Sequence, residues 1–527
     1  MAESTRDISG LGLEELKALM VQALEENARL KAENATLREE IARLKGLKGR
    51  PKLRPSGMEK AAETASAKGC KRKGRRGAKR AALAVDETRI LKPDSLPEGA
   101  RFKGYEDFIV QDIVLMPWTI RYRRERWLLA SGETMLAALP KGVSSHFGPN
   151  LKRFVLSQYH QGQVTIPRLT AQLTGLGIGI SKRQIVRLLT SKQDAFLKEN
   201  MEILRAGLAS ASWLTVDDTG ARHKAQNGFC THIGNDCFAF FATTGSKSRL
   251  NFLELLRAGR DDYVINEAAL AYMREHKLPL TTIARFGDAG QRFAGRNAFM
   301  AHLQKLGLTD LMVQPDPVQI AAEAALWGSV AEQGFLDGTV IVSDGAGQFR
   351  IAEHALCWVH AERLIHKLDT FCKTHVQAKE RIRARIWRLY KDLKAYRQTP
   401  TARRARDLER RFDAIFSTET GFATLDRLLA RLRAQKAGLL MVLKRPDIPL
   451  HTNSSENDIR CQVTRRKISA GTRSDEGRDA RDAFLALMKT CAKQAISFWD
   501  YLGDRLGVLE APAVPRLADL VRQHAAA

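Results

Sequence analysis

Between residues 13 and 47 the apolar positions recur in strict alternation of three and four: Leu13, Leu16, Met20, Ala23, Asn27, Leu30, Asn34, Leu37, Ile41 and Leu44. With Leu13 at heptad position a, the residues Leu16, Ala23, Leu30, Leu37 and Leu44 fall at d, and Asn27 and Asn34 at a. A buried asparagine at a costs stability but fixes register and favours two parallel strands. A single amphipathic surface helix needs only a few turns of such a pattern. Five heptads flanked by Glu and Lys predict a coiled-coil zipper over 11–47, and with it a homodimer through residues 13–47.

Further along, Ile166–Leu173 reads as a helix, followed by Gly175-Leu176-Gly177-Ile178-Gly179 and by Ser181, a good N-cap for a basic helix over Lys182–Leu189. Within 150–200 this is the order of a DNA-binding helix-turn-helix. An ordinary helical hairpin fits nearly as well. Segment 85–146 mixes β-prone stretches, Asp107–Leu115 and Arg121–Leu129, with turns, and predicts a small β-containing module. From residue 208 the period changes. Ser212–Asp218, Gly228–Ile233 and Cys237–Thr243 are short β-prone runs, and Arg249–Arg257 is a helix. Thr339–Ser343 and Ala355–Val359 are apolar runs suited to buried strands. The stretches 259–338 and 361–445 read as helical insertions, 453–466 and 477–506 as closing helices, and 509–527 as a Pro-interrupted tail. A meander, a helix, and strands alternating with helices make a mixed α/β core over 208–508 in a multidomain chain.

Charge changes the picture. The 527 residues carry 85 Lys+Arg against 59 Asp+Glu, a net charge of +26, which favours a polyanionic partner. The segment 48–84 contains the run Lys71-Arg72-Lys73-Gly74-Arg75-Arg76-Gly77-Ala78-Lys79-Arg80, too repulsive to pack. It is either a solvated linker or an arm on phosphate. No stretch of 18 apolar residues occurs, and the opening MAESTRDISG lacks a signal layout, so the expectation is a soluble intracellular protein without a membrane partner. Seven scattered cysteines with no Cys-x-x-Cys pair argue against a disulfide framework and a thiolate zinc site.

Three acids stand out by position. Asp217 and Asp344 end apolar strands, and Glu456 lies one turn into a helix opened by an Asn/Ser cap. Strand ends of an α/β sheet converge on a crevice into which a neighbouring helix can project a third carboxylate. Such a cluster repels itself unless cations lie between its members. Mg²⁺ suits hard oxygen ligands, and two ions would clamp an in-line phosphoryl displacement. Each acid taken alone is more often a turn or a capping residue.

The segments Asp344-Gly345-Ala346-Gly347-Gln348-Phe349 and Cys357-Trp358-Val359-His360-Ala361-Glu362-Arg363 resemble the second-aspartate region of the insertion-sequence-66 transposases. Asn453-Ser454-Ser455-Glu456-Asn457-Asp458-Ile459-Arg460, with Arg466-Lys467, Gly471, Gly477 and Thr490-Cys491-Ala492-Lys493, resembles that family's third-acid block, and Asp217-Asp218-Thr219 its first. The resemblance implies a ribonuclease H-like core with an Asp-Asp-Glu triad on Asp217, Asp344 and Glu456. It implies two Mg²⁺ ions, with Mn²⁺ able to substitute, and cleavage and strand transfer at element ends. It also implies double-stranded DNA, both element ends and target, as partner, accessory transposition proteins beside it, and a bacterial cytoplasmic, nucleoid-associated location. Lys182, Arg183, Arg460, Arg466 and Lys467 are the candidate DNA contacts. For the last three a solvated charged face competes equally. Cys357 and His360 match a supporting Cys-x-x-His signature, more readily a thiol and histidine that position the site than half a zinc site.

The sequence departs from the family in two ways. The Cys-x-x-Cys pairs usual between basic arm and helix-turn-helix are missing. The 127-residue separation of Asp217 from Asp344 is long, and it encloses a rival second acid, Asp288. Asp344 is preferred because the Cys-x-x-His block follows it and a better strand precedes it. Asp218 competes with Asp217, but strand alternation lets only one of them face the site. A decayed or repurposed DNA-binding protein is the alternative function. A nuclease without strand transfer shares the same metal site.

Overall fold

The computed structural model describes residues 85–526 apart from 96, 97, 141–144, 310 and 312, so the expected zipper (11–47) and basic arm (48–84) lie outside the described residues. The chain divides into two compact units: a small one, whose described part is 85–138 and 170–180, and a large one containing Leu139–Leu169 and Ser181–Ala527. The small unit holds a hairpin, β1 (Arg126–Leu128) antiparallel to β2 (Thr134–Leu136). Asp107–Leu115 forms no strand. Its apolar residues Phe108, Val110 and Val114 are exposed, and no second strand lies alongside to complete a ladder.

Helices α1 (Pro149–His160), α2 (Ile166–Gly175), α3 (Lys182–Thr190) and α4 (Asp194–Ser210) precede the main sheet. Helix α3 begins as its sequence dictates. Ser181 accepts from the Gln184 N–H at 3.3 Å, and the Gln184 side chain accepts from the Ser181 N–H at 2.8 Å, a reciprocal capping box. The large sheet has β3 (Trp213–His223), β4 (Gln226–Gly234), β5 (Ala239–Thr244), β8 (Val340–Ser343) and β9 (Glu353–Leu356), in the order β5-β4-β3-β8-β9. Strands β3, β4 and β5 form an antiparallel meander, and β8 and β9 run parallel to β3. All four residues of β8, Val340-Ile341-Val342-Ser343, are buried, as a strand covered on both faces requires. The last strand starts and ends earlier than its apolar run suggests. Trp358 and Val359 open a helix instead, where the Trp358 indole is fully buried and donates to the Leu439 carbonyl at 2.8 Å.

Between β5 and β8 the chain forms α5 (Arg249–Leu256), α6 (Glu267–Glu275), α7 (Gly295–Lys305) and α8 (Pro317–Glu332). The expected helical stretch 259–338 also carries a two-stranded sheet, β6 (Tyr263–Ile265) with β7 (Gln291–Phe293). After β9 come α9 (Trp358–His366) and three helices of the second insertion, α10 (Lys373–Gln398), α11 (Ala402–Phe416) and α12 (Ala423–Ala434). Helices α13 (Asn453–Ser469) and α14 (Asp475–Lys493) return to the sheet. There Ile459, Leu485 and Ala486 close a core with Ala221, Cys230, Ala239 and Phe241. Gly471, between these two helices, lets the chain pass the β3–β4 hairpin: a Cβ there would meet the Arg222 carbonyl oxygen at 2.3 Å. Helices α15 (Phe498–Arg505) and α16 (Leu517–Ala526) complete the described chain. The expected tail thus contains a helix, which packs on α4 through buried Leu517, Ala518 and Val521. Among the described residues no helix is long and apolar enough to cross a membrane.

Candidate active site

Strand pairing decides which acids meet. Trp213, Leu214 and Thr215 of β3 lie opposite Val340, Ile341 and Val342 of parallel β8. Carried two residues further, the same register sets Asp217 level with Asp344, the residue that follows β8. The two carboxylates interact. Burial, offset in part by the Asp218 N–H and the His360 charge and reinforced by Asp344, raises the Asp217 pKa to about 6. The Asp218 N–H donates to Asp217 Oδ1 at 2.8 Å.

Alternation along β3 sends Asp218 elsewhere. It pairs with Lys247, and its Oδ2 accepts from the Gln348 side chain at 2.9 Å. The loop after Asp344 is therefore tied down at two points, because Arg249 also donates to the Gly347 carbonyl at 2.9 Å. Asp344 Oδ1 itself accepts from the Ala346 N–H at 2.9 Å. The rival Asp288 is exposed in the turn entering β7, on the two-stranded sheet and not on a strand of the five-stranded one.

Cys357 caps the start of α9, with its N–H bonded to the Ser343 carbonyl at 2.9 Å. One turn on, His360 faces it. Burial alone would raise the thiol and lower the imidazole, but their mutual hydrogen bond wins. Cys357 is held below its ordinary value and His360 above. His360 Nδ1 is buried without a hydrogen-bond partner. On the other side of Asp344, Ser343 Oγ and His354 Nε2 are 2.8 Å apart, and burial pushes His354 down to about 4.

Glu456 occupies the first turn of α13, in the helix's favourable N-terminal position. Its neighbour Ser455 is fully buried and donates to Thr215 Oγ1 at 2.5 Å, which pins α13 to β3 two residues before Asp217. Glu456 is not bare. Arg363 of α9 reaches both its oxygens at 3.1 and 3.2 Å, and Arg460 lies at 3.7 Å. Among the described residues no group of three His, Cys, Asp or Glu side chains stands close enough to hold a metal ion. Asp217 and Asp344 make a paired site, and Glu456 is counter-charged by arginine beside it.

Two residues on from Glu456, Asp458 is buried with Lys493 at 3.0 Å, Lys489 at 3.3 Å and His232 at 3.3 Å. Burial alone would raise this carboxyl, but the His232 and lysine contacts hold it at about 2, and burial keeps His232 below its ordinary value. Lys493 also donates to Ser454 Oγ and to the Asn235 carbonyl, which locks the opening of α13 to β4 and α14. Asp458 and Lys493 both lie in the third-acid block, but nothing in their spacing shows that they pair. The pair joins two helices, α13 and α14, so only their packing against β4 reveals it.

Of the candidate DNA contacts, Lys182, Arg183, Arg460 and Lys467 are exposed. Arg466 donates to the Gly220 carbonyl of β3 and so is engaged within the fold.

The family described as "Transposase IS66 family" matches residues 324–480, a span containing Asp344, Cys357, His360 and Glu456 but not Asp217. A protein of Sinorhizobium fredii (strain NBRC 101917 / NGR234), named uncharacterized protein y4jO, is 49% identical over 324 residues, covering 61% of this chain and 100% of its own length. No solved structure matches.

Proposed function

Since the chain belongs to the IS66 transposase family, we propose that it cleaves phosphodiesters at the ends of an insertion sequence and joins them to target DNA, using Asp217, Asp344 and Glu456. The observation that carries this reading is the β3–β8 register, which levels Asp217 with Asp344, the residue after β8. Asp217 does not end its strand as its apolar run suggests: β3 continues to His223 in its ladder with β4, and Asp217 lies just past the stretch paired with β8. The Ser455–Thr215 bond brings Glu456 to the same strand. The order β5-β4-β3-β8-β9, with an antiparallel meander and two strands parallel to the central one, supports a ribonuclease H-like core.

A buried Asp217 raised to about 6 beside a second carboxylate fits a hard divalent cation, which would offset both burial and repulsion. Asp217 and Asp344 would hold Mg²⁺, or Mn²⁺ in its place. Glu456 would complete the set by exchanging Arg363 for the cation. When bound, the ions would polarise the phosphodiester and activate the attacking hydroxyl. The protein's own groups do the rest. Gln348 and Arg249 fix the loop bearing Asp344, His360 favours the charged form of Asp217, and Arg363 orients Glu456. Lys182 and Arg183 of α3, with the arm 48–84, would hold element ends, and the zipper would bring two copies together.

Glu456→Gln is expected to abolish strand cleavage of an end-bearing duplex in Mg²⁺ while leaving its binding nearly intact. The Glu456–Arg363 ion pair also suits a second reading, a DNA-binding protein without catalysis. Binding by the wild type with no cleavage in Mg²⁺ or Mn²⁺ would favour that one.

A further inference from the structure

The second insertion has a chemistry of its own. Over 373–434 it carries seventeen Lys/Arg and seven Asp/Glu, and thirteen of the seventeen are arginine. The three helices pack on one another through apolar faces: Ile382, Ile386, Leu389 and Leu393 on α10, Leu408, Phe412 and Ile415 on α11, Leu425, Leu429 and Leu432 on α12. Most of the acids are used inside the bundle. Glu380 pairs with Arg383, Asp392 and Asp407 with Arg411, Asp413 with Lys436, and Asp426 accepts from Thr420.

Apart from the exposed Glu409 and Glu419, what remains outside is cationic. Arg381, Arg388 and Lys391 lie on one exposed stripe of α10, spaced seven and three residues apart, and among the described residues none pairs with a carboxylate. Arg427 and Arg431 repeat the pattern on α12. Like charges three and four residues apart repel along a helix, so the stripe costs stability and returns nothing inside the fold. Helix α14 is the contrast: its Arg478 and Arg481 sit against Asp475, Asp479 and Asp482. Arginine's planar fork matches phosphate oxygens better than lysine does. The bundle also follows directly from α9, whose Arg363 holds Glu456.

We infer that the exposed face of α10, through Arg381, Arg388 and Lys391, is a sequence-independent docking surface for the phosphate backbone of duplex DNA. This surface is separate from α3 and from Lys467, and it rests on the DNA reading above. Backbone contacts of this kind position a duplex without reading its bases.

The test uses the full chain and two duplexes of equal length, one bearing an element end and one unrelated, with affinity followed against salt. Each lost phosphate contact lowers the slope of log K against log salt by about 0.9. The triple change Arg381→Gln, Arg388→Gln, Lys391→Gln should therefore lower it by about 2 to 3 on both duplexes. Arg381→Lys with Arg388→Lys should keep it near the wild-type value. A control triple of exposed cations elsewhere in the chain, Arg274→Gln, Lys277→Gln, Lys305→Gln, should leave it unchanged. An unchanged slope in the α10 variant overturns the inference. So does a loss confined to the end-bearing duplex, or an equal loss in the control. If the wild type binds neither duplex, the DNA reading itself fails.

Discussion

Asp217 is held between opposing influences. Burial and Asp344 favour its neutral form, while the Asp218 amide and His360 favour the carboxylate, and the balance leaves it near 6 against an ordinary 3.8. A carboxyl raised in the fold binds its proton there more tightly than in the unfolded chain. Its contribution is therefore greatest below about pH 4 and is lost as pH rises through about 6, by up to about 3 kcal/mol. Asp217→Asn should remove that decline. The check is urea unfolding of both proteins from pH 4 to 7, and a difference that stays flat or runs the other way would refute it. Strand alternation in the sequence was enough to separate Asp217 from Asp218. Nothing local revealed that Asp218 would hold Lys247, carried by the loop after β5, and Gln348, which arrives only when β8 docks on β3.

Among the elements, α13 matters most, because it carries Glu456 on one side and a buried charge network on the other. Asp458→Ala would leave the part-buried Lys489 and Lys493 without their counter-charge, a loss of about 3 kcal/mol. Calorimetry or denaturant unfolding reads it directly, and a loss under 1 kcal/mol would mean the lysines find water. The strands at 213, 226, 239 and 340 were legible because apolar runs bounded by turn residues leave few alternatives. The last strand was misplaced by its own hydrophobicity: Trp358 and Val359 are apolar because they are buried as a helix start. Helix α16 was missed because Pro512 and Pro515 precede it and its buried face is only Leu517, Ala518 and Val521. Such a short pattern gains its helical state from packing on α4.

At the scale of the whole molecule, charge and heptads gave the partners expected of this chain, whereas the site needed three-dimensional contacts. The heptads themselves support one expectation outside the described residues. Deleting 13–47 should convert a dimer to a monomer in sedimentation equilibrium, and a dimer that survives the deletion would place the contact elsewhere. The β3–β8 pairing has a further consequence, for the order in which the chain is made. Asp217 leaves the ribosome 127 residues before the neighbour that the register gives it, and Glu456 follows 112 residues after that. The heptad segment 13–47, the basic segment 48–84 and helix α3 are all synthesised before any two of these acids can meet. On the function proposed above, a nascent chain would meet DNA and a sister chain well before it had anything to cut with, so assembly would precede chemistry by the arithmetic of translation alone.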